Sequence, residues 1–245
     1  LYQFVWHELC DWYLEAAKPD LYGKNGEDRK EKTKQVLWHV LRNTLILLHP
    51  IVPFVTEEIW HALPGTQGPV MRTSFDGAGT DRNPEAESRM GLVIDVVTGI
   101  RNVRGEMNIS PSKTLDVVVH AADEILRQNL AVHQDMIVNL ARLSSFAIAA
   151  SGEKSRHAAT AVVGDAVIYV LLEGVIDFAA ELARIEKELA RVDKELDGVS
   201  KKLSNSGFLA KAPAQVVDAV RATAAELTEK QAKLKAARER IRAFV

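Results

Sequence analysis

Residues 182–203 read LARIEKELARVDKELDGVSKKL and carry the clearest fold signal in the chain. Apolar residues recur there at alternating steps of three and four: Leu182, Ile185, Leu189, Val192, Leu196, Val199 and Leu203. Most of the other positions are charged, which is the heptad pattern of a helix with one apolar seam. The stretch therefore predicts a long helix whose seam packs against another helix.

A second heptad series follows after a predicted break at residues 204–212. Its apolar residues recur every seven positions, at Val220, Leu227, Leu234 and Ile241. Pro213 stands just before this series, where a first helical turn tolerates proline. The two series predict an antiparallel two-helix coiled coil over residues 179–245, an arm roughly 40 Å long at about 1.5 Å rise per residue.

Residues 1–110 are predicted to form an all-helical bundle. An amphipathic helix over residues 1–18 is expected to end before Pro19, because proline removes a helical N–H. Further helices are predicted at residues 29–48, 56–63 and 84–106. We expect Phe54 and Trp60 both to be buried, where the proline-broken segment crosses the helices.

Residues 111–178 are predicted to form a small α+β appendage with three or four strands. Residues 115–120 and 146–149 are β-rich runs, and residues 123–140 show a helical apolar period. A hairpin is predicted around Gly164-Asp165, a turn pair between two apolar runs. The predicted fold class is mainly α: a helical bundle, a small α+β appendage and a C-terminal antiparallel coiled coil.

The composition is that of a globular chain without a globally basic character. Hydrophobic residues make up 47% of the 245 residues, and the net charge is −2. No apolar run approaches the roughly 18 residues of a membrane span. From residue 178 onward the charge is +4, against −6 before it, so a polyanion partner for the C-terminal part is permitted but not required. The single cysteine, Cys10, excludes an internal disulfide and suits a reducing compartment.

Motifs for catalysis and metal binding are missing from the sequence. The seven histidines are scattered, with no spacing that would place two of them on one metal ion. Glycine-rich nucleotide-binding patterns and the Gly-x-Ser-x-Gly nucleophile pattern do not occur. The sequence therefore predicts no catalytic residue, no metal site and no cofactor within this chain.

One candidate binding site lies in the sequence IRNVRGEMNISPSK, residues 100–113. Arg101 and Arg104 are three positions apart, so both guanidinium groups can leave one face of a helix. Asn108 and Lys113 follow in a polar turn, and such a cluster could hold phosphate groups. The alternative is that the arginines tether the bundle to the appendage through internal carboxylates.

The other candidate site is the basic content of the predicted arm. The side chains singled out for nucleic-acid contact are Lys201, Lys202, Phe208, Lys211, Arg221 and Arg238. Cations of this kind would contact phosphates, and Phe208 near the tip could stack on a base or fill the turn. The alternative is an ordinary solvated helix exterior, because acidic residues interleave with the basic ones.

Several segments resemble class I aminoacyl-tRNA synthetases for aliphatic amino acids. LHPIVPFVTEEIW, at residues 48–60, is similar to their helical anticodon-binding domain. Residues 4–15, FVWHELCDWYLE, and residues 100–113 resemble the bacterial valine-specific branch of the family. KLSNSGFLAKAP, at residues 202–213, resembles the turn of that branch's C-terminal coiled coil. Together these similarities cover nearly the whole chain.

The resemblance implies the C-terminal part of an enzyme that joins valine to its tRNA with ATP and magnesium. In that family the helical bundle binds the anticodon stem-loop, and the arm binds the outer corner of the tRNA. The nucleotide-binding motifs and the catalytic and editing domains have no counterpart here, so this chain alone is predicted to be inactive. The implied partner is valine tRNA, and we expect a cytoplasmic monomer, cut from a longer protein, without metal or membrane attachment.

A second function class stays open at the level of sequence, namely a structural coiled-coil adaptor that binds another protein. The same apolar seam would pair between molecules if the hairpin opened. Sedimentation of residues 179–245 distinguishes the two classes. A monomeric hairpin fits the tRNA arm, whereas a tight elongated dimer favours the adaptor.

Overall fold

The computed structural model describes residues 1–75, 82–152, 157–211 and 213–244. This described part contains nine α-helices and four β-strands, so the prediction of a mainly α fold with a small strand-containing region is confirmed. Within it, no helix combines the length and the apolar character needed to cross a membrane. The predicted domain boundaries at residues 110 and 178 stay predictions.

The first of two compact units consists of residues 1–94 together with residues 135–140. It begins with a π-helix at Phe4–Leu14 and continues through three α-helices: α1 (Glu15–Leu21), α2 (Glu27–Leu48) and α3 (Pro53–Ala62). After a short 3-10 helix at Val70–Arg72, α4 begins, and its bounds of Pro84–Glu106 agree with the prediction. Among its described residues the unit contains helices and the turns that connect them, but no strand, as predicted.

Asp20 holds the turn between α1 and α2. Its largely buried carboxylate accepts hydrogen bonds from Asn25, Arg29 and Thr33. The predicted helix end before Pro19 is wrong, because these bonds fix the next turn and α1 continues to Leu21 with Pro19 inside it. Burial by itself would raise the pKa of Asp20, but the three hydrogen bonds and the charge of Arg29 outweigh it and lower the pKa.

Replacing Asp20 with alanine is expected to lower the free energy of unfolding by about 1–3 kcal/mol, because three donors lose a buried acceptor. A carboxyl whose folded-state pKa is lowered stabilises the fold above its ordinary pKa of 3.8 and loses that contribution as the pH falls through the folded-state value. The difference in free energy of unfolding between the unmodified protein and the Asp20→Ala variant should therefore be largest at neutral pH and become smaller in acid. Urea unfolding at a series of pH values measures it, and a pH-independent difference would contradict the ionic role.

The inner side of α3 forms the core of the first unit. Trp60 is 2% exposed and clusters with Leu45 and Val70, which confirms that it is buried. Phe54 is 91% exposed, so the prediction that it is buried is wrong. The reason is helical phase, since six positions at about 100° each place Phe54 roughly 120° from Trp60 around α3.

The second compact unit, residues 95–134 and 141–245, contains a four-stranded mixed sheet. Its strands are β1 (Leu115–Ala121), β2 (Leu143–Ala149), β3 (Ala158–Val163) and β4 (Ala166–Leu171). The spatial order is β2-β1-β4-β3, with β1 and β2 parallel and the other neighbours antiparallel. The predicted hairpin at Gly164-Asp165 is confirmed, and Gly164 takes a φ of +53° that favours glycine.

The connection between the parallel strands contains two helices where one was predicted. They are α5 (Glu124–Val132) and α6 (Gln134–Ala141). His133 lies between them as the C-cap of α5, where its ring Nδ1 and its backbone N–H both contact the carbonyl oxygen of Asn129. The side chain of Asp123 caps the start of α5 by accepting from the N–H of Ile125.

The last half of α4 lies against one face of this sheet. A Cβ added to Gly99 would come within 3.3 Å of Ile168 and 3.4 Å of Val163. The missing side chain therefore lets the helix approach the sheet closely. Ile100 and Val103, on the neighbouring helical positions, are buried.

The predicted arm consists of α7 (Phe178–Ser204), a short α8 (Ser206–Lys211) and α9 (Ala214–Arg242). Helices α7 and α9 run antiparallel, because Glu186 pairs with Arg242 while Asp193, further along α7, accepts from Gln231, earlier in α9. Their most buried side chains are Ile185, Leu189, Val192, Val217 and Ile241. The predicted break at residues 204–212 contains the short α8 as well as a turn. Supercoiling of the pair stays a prediction.

Candidate nucleic-acid interface

Arg104, a predicted phosphate ligand, directs its guanidinium into the second unit. Its Nη1 donates to the carbonyls of Ser110 at 3.1 Å and Lys113 at 2.7 Å, and its Nη2 to those of Ala141 at 3.0 Å and Arg142 at 3.3 Å. The pKa of Arg104 is lowered mainly by burial and, to a smaller extent, by the positive charge of Arg142. Arg142 follows α6 with a φ of +55°, so Arg104 supplies donors at a helix end where carbonyls lack partners. This geometry favours the tether alternative, through carbonyls rather than carboxylates.

Replacing Arg104 with methionine is expected to lower the free energy of unfolding by about 1–3 kcal/mol, because partly buried carbonyls lose their donors. Lysine should rescue little of the loss, since a single ammonium cannot span four acceptors. Chemical denaturation followed by circular dichroism measures the effect. Lys194→Met, at an exposed helical position, is the matched control and should be nearly neutral.

The other residues of the first cluster also have roles within the second unit. Lys113 donates through Nζ to the carbonyl of Val175 at 2.6 Å. Asn108 lies two residues after the end of α4 and has a φ of +51°. The hydrogen bond from Arg184 is the main cause that lowers the pKa of Glu181, and a hydrogen bond from Asn108 adds to it. Arg101 is exposed on α4. RNA contact by this cluster stays a prediction, and its geometry mainly joins neighbouring segments.

A basic face runs along the outside of α7, in two groups of cations separated by residues 195–200. Its members are all exposed and are here called the α7 basic face: Arg184, Lys187, Arg191, Lys194, Lys201 and Lys202. At about 100° per residue these six side chains fall within an arc of roughly 100°, opposite the buried seam of the helix. No Asp or Glu of α7 falls inside this arc. The arc itself therefore contains only basic charged residues, in two groups along α7.

Half of the α7 basic face is held by local ion pairs. They join Arg184 to Glu181 at 2.6 Å, Arg191 to Glu188 at 2.7 Å and Lys201 to Asp197 at 2.6 Å. The cation of each pair is exposed, and surface ion pairs contribute little stability, so a phosphate can compete with the carboxylate for the cation. Within the described residues, Lys187, Lys194 and Lys202 have no carboxylate within 4.0 Å.

The remaining arm candidates are placed less favourably for a shared ligand. Arg221 pairs with Asp218 at 3.2 Å, and Arg238, with a side chain only 30% exposed, pairs with Glu239 at 3.0 Å. Phe208 is half-buried in α8. Lys211 ends α8, and its side chain lies outside the described residues. Among described residues, no group of three or more His, Cys, Asp or Glu side chains is placed to hold a metal ion.

The α7 basic face groups Lys201 and Lys202 with four further basic residues of the same helix, namely Arg184, Lys187, Arg191 and Lys194. This grouping follows from the heptad phase, because all six residues lie on the side of the helix away from the apolar seam.

Two family models match most of the chain. Residues 1–119 match the anticodon-binding domain of tRNA ligases. Residues 177–242, which include the α7 basic face, match the tRNA-binding arm of valyl-tRNA synthetase. The first match places residues 1–119 in the class of tRNA-ligase anticodon-binding domains.

The relatives of the chain and the match of its arm together identify the particular family. The chain corresponds to the C-terminal part of the valine–tRNA ligases, which confirms the resemblance described above. It is 42% identical to the valine–tRNA ligase of Nitratidesulfovibrio vulgaris over 99% of its length, and 43% identical to that of Syntrophotalea carbinolica over 100%. The Geobacillus stearothermophilus protein is 40% identical over 96%. The chain spans 27% of the length of each of these relatives.

Proposed function

We propose that this chain binds tRNA as the C-terminal part of a valine–tRNA ligase. The observation that carries the proposal is the α7 basic face, which lies on residues matched by the tRNA-binding arm family. A single-signed face opposite an apolar seam suits a rigid arm that lies along a phosphate backbone. Valine tRNA is the proposed partner, and a cytoplasmic monomer is the proposed form.

In this proposal α7 and α9 form a coiled-coil arm that supplies affinity and placement. From Arg184 to Lys202 the α7 basic face extends roughly 27 Å at about 1.5 Å per residue, long enough to meet several phosphates. Phosphate contacts fix the position of a protein on a nucleic acid but do not read its sequence. The arm is therefore proposed to bind the outer corner of the tRNA, and residues 1–110 the anticodon stem-loop.

The adaptor alternative has less support. Its premise was that the apolar seam would pair with another molecule. In this chain the seam of α7 is covered by α9, and Glu188 accepts from Lys230 at 2.8 Å across the two helices. A seam that is covered by α9 leaves less apolar surface for a coiled-coil partner.

A filter-binding titration of the 245-residue chain against valine tRNA and an unrelated tRNA, at two salt concentrations, tests the proposal. We expect the valine tRNA to bind more tightly and both affinities to fall with salt, since phosphate contacts release counterions. Absence of binding to both tRNAs at the lower salt concentration would overturn the proposal. Equal affinity for both tRNAs would indicate that only the arm contacts tRNA. It would contradict the proposed binding of residues 1–110 to the anticodon stem-loop.

Valine activation is proposed to belong to the part of the parent protein outside this chain, where ATP and magnesium would bind. The 245-residue chain should therefore show no valine-dependent pyrophosphate exchange above a protein-free blank. Exchange that increases with the amount of chain would contradict this assignment.

A further inference from the structure

Helix α3 carries apolar side chains on two sides. One side forms the core around Trp60, which is 2% exposed. The other side, together with Ile51 in the preceding turn, is here called the α3 outer face. Its members are Ile51, Phe54, Val55 and Ile59, whose exposed fractions are 70%, 91%, 53% and 39%. Phe54, Val55 and Ile59 lie on α3 within an arc of roughly 140° at about 100° per residue, and Ile51 stands in the turn just before the helix.

Such a surface is unusual on a chain that stays in water. A helix with apolar residues all round is typically buried, and a contiguous exposed apolar surface commonly marks an interaction site. The core of the first unit does not need these four side chains, because Leu45, Trp60 and Val70 form it without them. The α3 outer face therefore has no structural role in the part of the chain that the structure describes.

The chemistry of the α3 outer face fits protein rather than RNA. No lysine or arginine occurs between Arg42 and Arg72, so the segment has no cation for a phosphate. Glu58, an exposed carboxylate, lies in the same arc of the helix, between the directions of Phe54 and Val55, and would repel a phosphate backbone. Three of the four side chains are aliphatic and cannot stack on bases.

We propose that the α3 outer face docks against an apolar surface in the part of the parent ligase that lies outside this chain; this rests on the proposed function. The chain spans 27% of the length of its relatives, so most of their protein surface is outside it. Four side chains are few for a stable interface between separate molecules, which buries about 800 Å² per partner. Within one polypeptide, a small interface suffices because the linkage supplies a high effective concentration.

Hydroxyl-radical footprinting of the 245-residue chain and of the full-length parent tests the proposal. The oxidation rate of Phe54 should be several-fold lower in the parent than in the chain. Ile125, which is 74% exposed on α5, serves as the reference for an apolar side chain that the proposal leaves uncovered. Equal oxidation of Phe54 in both proteins would overturn the docking.

A double variant, Phe54→Ser with Val55→Ser, gives the second readout. It should lower the thermal midpoint of the parent and leave that of the 245-residue chain unchanged, whereas Ile125→Ser should change neither. Two results would assign the surface to a different occupant and overturn the proposal: a dimer of the chain in sedimentation that the double variant abolishes, or weaker valine-tRNA binding by the variant chain. Failure of the unmodified chain to bind tRNA would instead count against the proposed function, because the footprint is measured without tRNA.

Discussion

Replacing Trp60 with alanine is expected to lower the free energy of unfolding of the first compact unit by about 3–5 kcal/mol, the range for large aromatic truncations in a core. The side chain is 2% exposed, and its indole N–H donates to the carbonyl of Gly68 at 3.1 Å. The guanidinium of Arg42 lies 5.8 Å from the ring centroid, at a distance for a cation–π contact. Alanine removes the packing, the hydrogen bond and the cation–π partner together.

Urea unfolding followed by far-UV circular dichroism measures this effect. Phe54→Ala is the matched control, since it removes an aromatic ring from the same helix at a position that is 91% exposed. Its change should stay within about 0.5 kcal/mol, as is usual for surface substitutions. A loss below about 1 kcal/mol for Trp60→Ala would show that the core of this unit does not depend on the ring.

Replacing Lys187, Lys194 and Lys202 together with glutamine is expected to weaken tRNA binding and to reduce its salt dependence. These three members of the α7 basic face have no carboxylate partner among the described residues, so they are the cations most available to phosphates. The slope of log affinity against log salt should fall by roughly two to three units if all three contact phosphates. Filter binding at four or more salt concentrations gives the slope.

The matched control replaces Lys233, Lys235 and Arg240 of α9 together with glutamine, which removes the same number of positive charges. Both variants change the net charge equally, so a general field effect would alter both slopes alike. Only the α7 variant should show the fall of roughly two to three units in the slope of log affinity against log salt. Equal losses would show that the arm acts through overall charge, and an unchanged slope in the α7 variant would show that its lysines are ordinary solvated side chains.

Local pattern by itself determined much of this fold. The bounds of α4 agree with the prediction at both ends, and all seven apolar positions of the first heptad series are buried or half-buried on α7. The turn at Gly164-Asp165 also lies where the sequence predicted it. These features depend on residues within a few positions of one another, so periodicity and turn chemistry are sufficient to locate them.

The tertiary structure decided which side chains of these elements are buried, and which partners they have. Phe54 and Trp60 are aromatic residues on the same short helix, yet the packing of α3 onto its neighbours leaves one exposed and buries the other. Arg104 donates a hydrogen bond to the carbonyl of Ala141, which lies 37 positions further along the chain, and no spacing rule predicts that contact. The parallel pairing of β1 with β2 likewise joins segments that are separated by two helices. Such contacts depend on how whole elements approach in space, whereas a sequence pattern reports only the period of each element by itself.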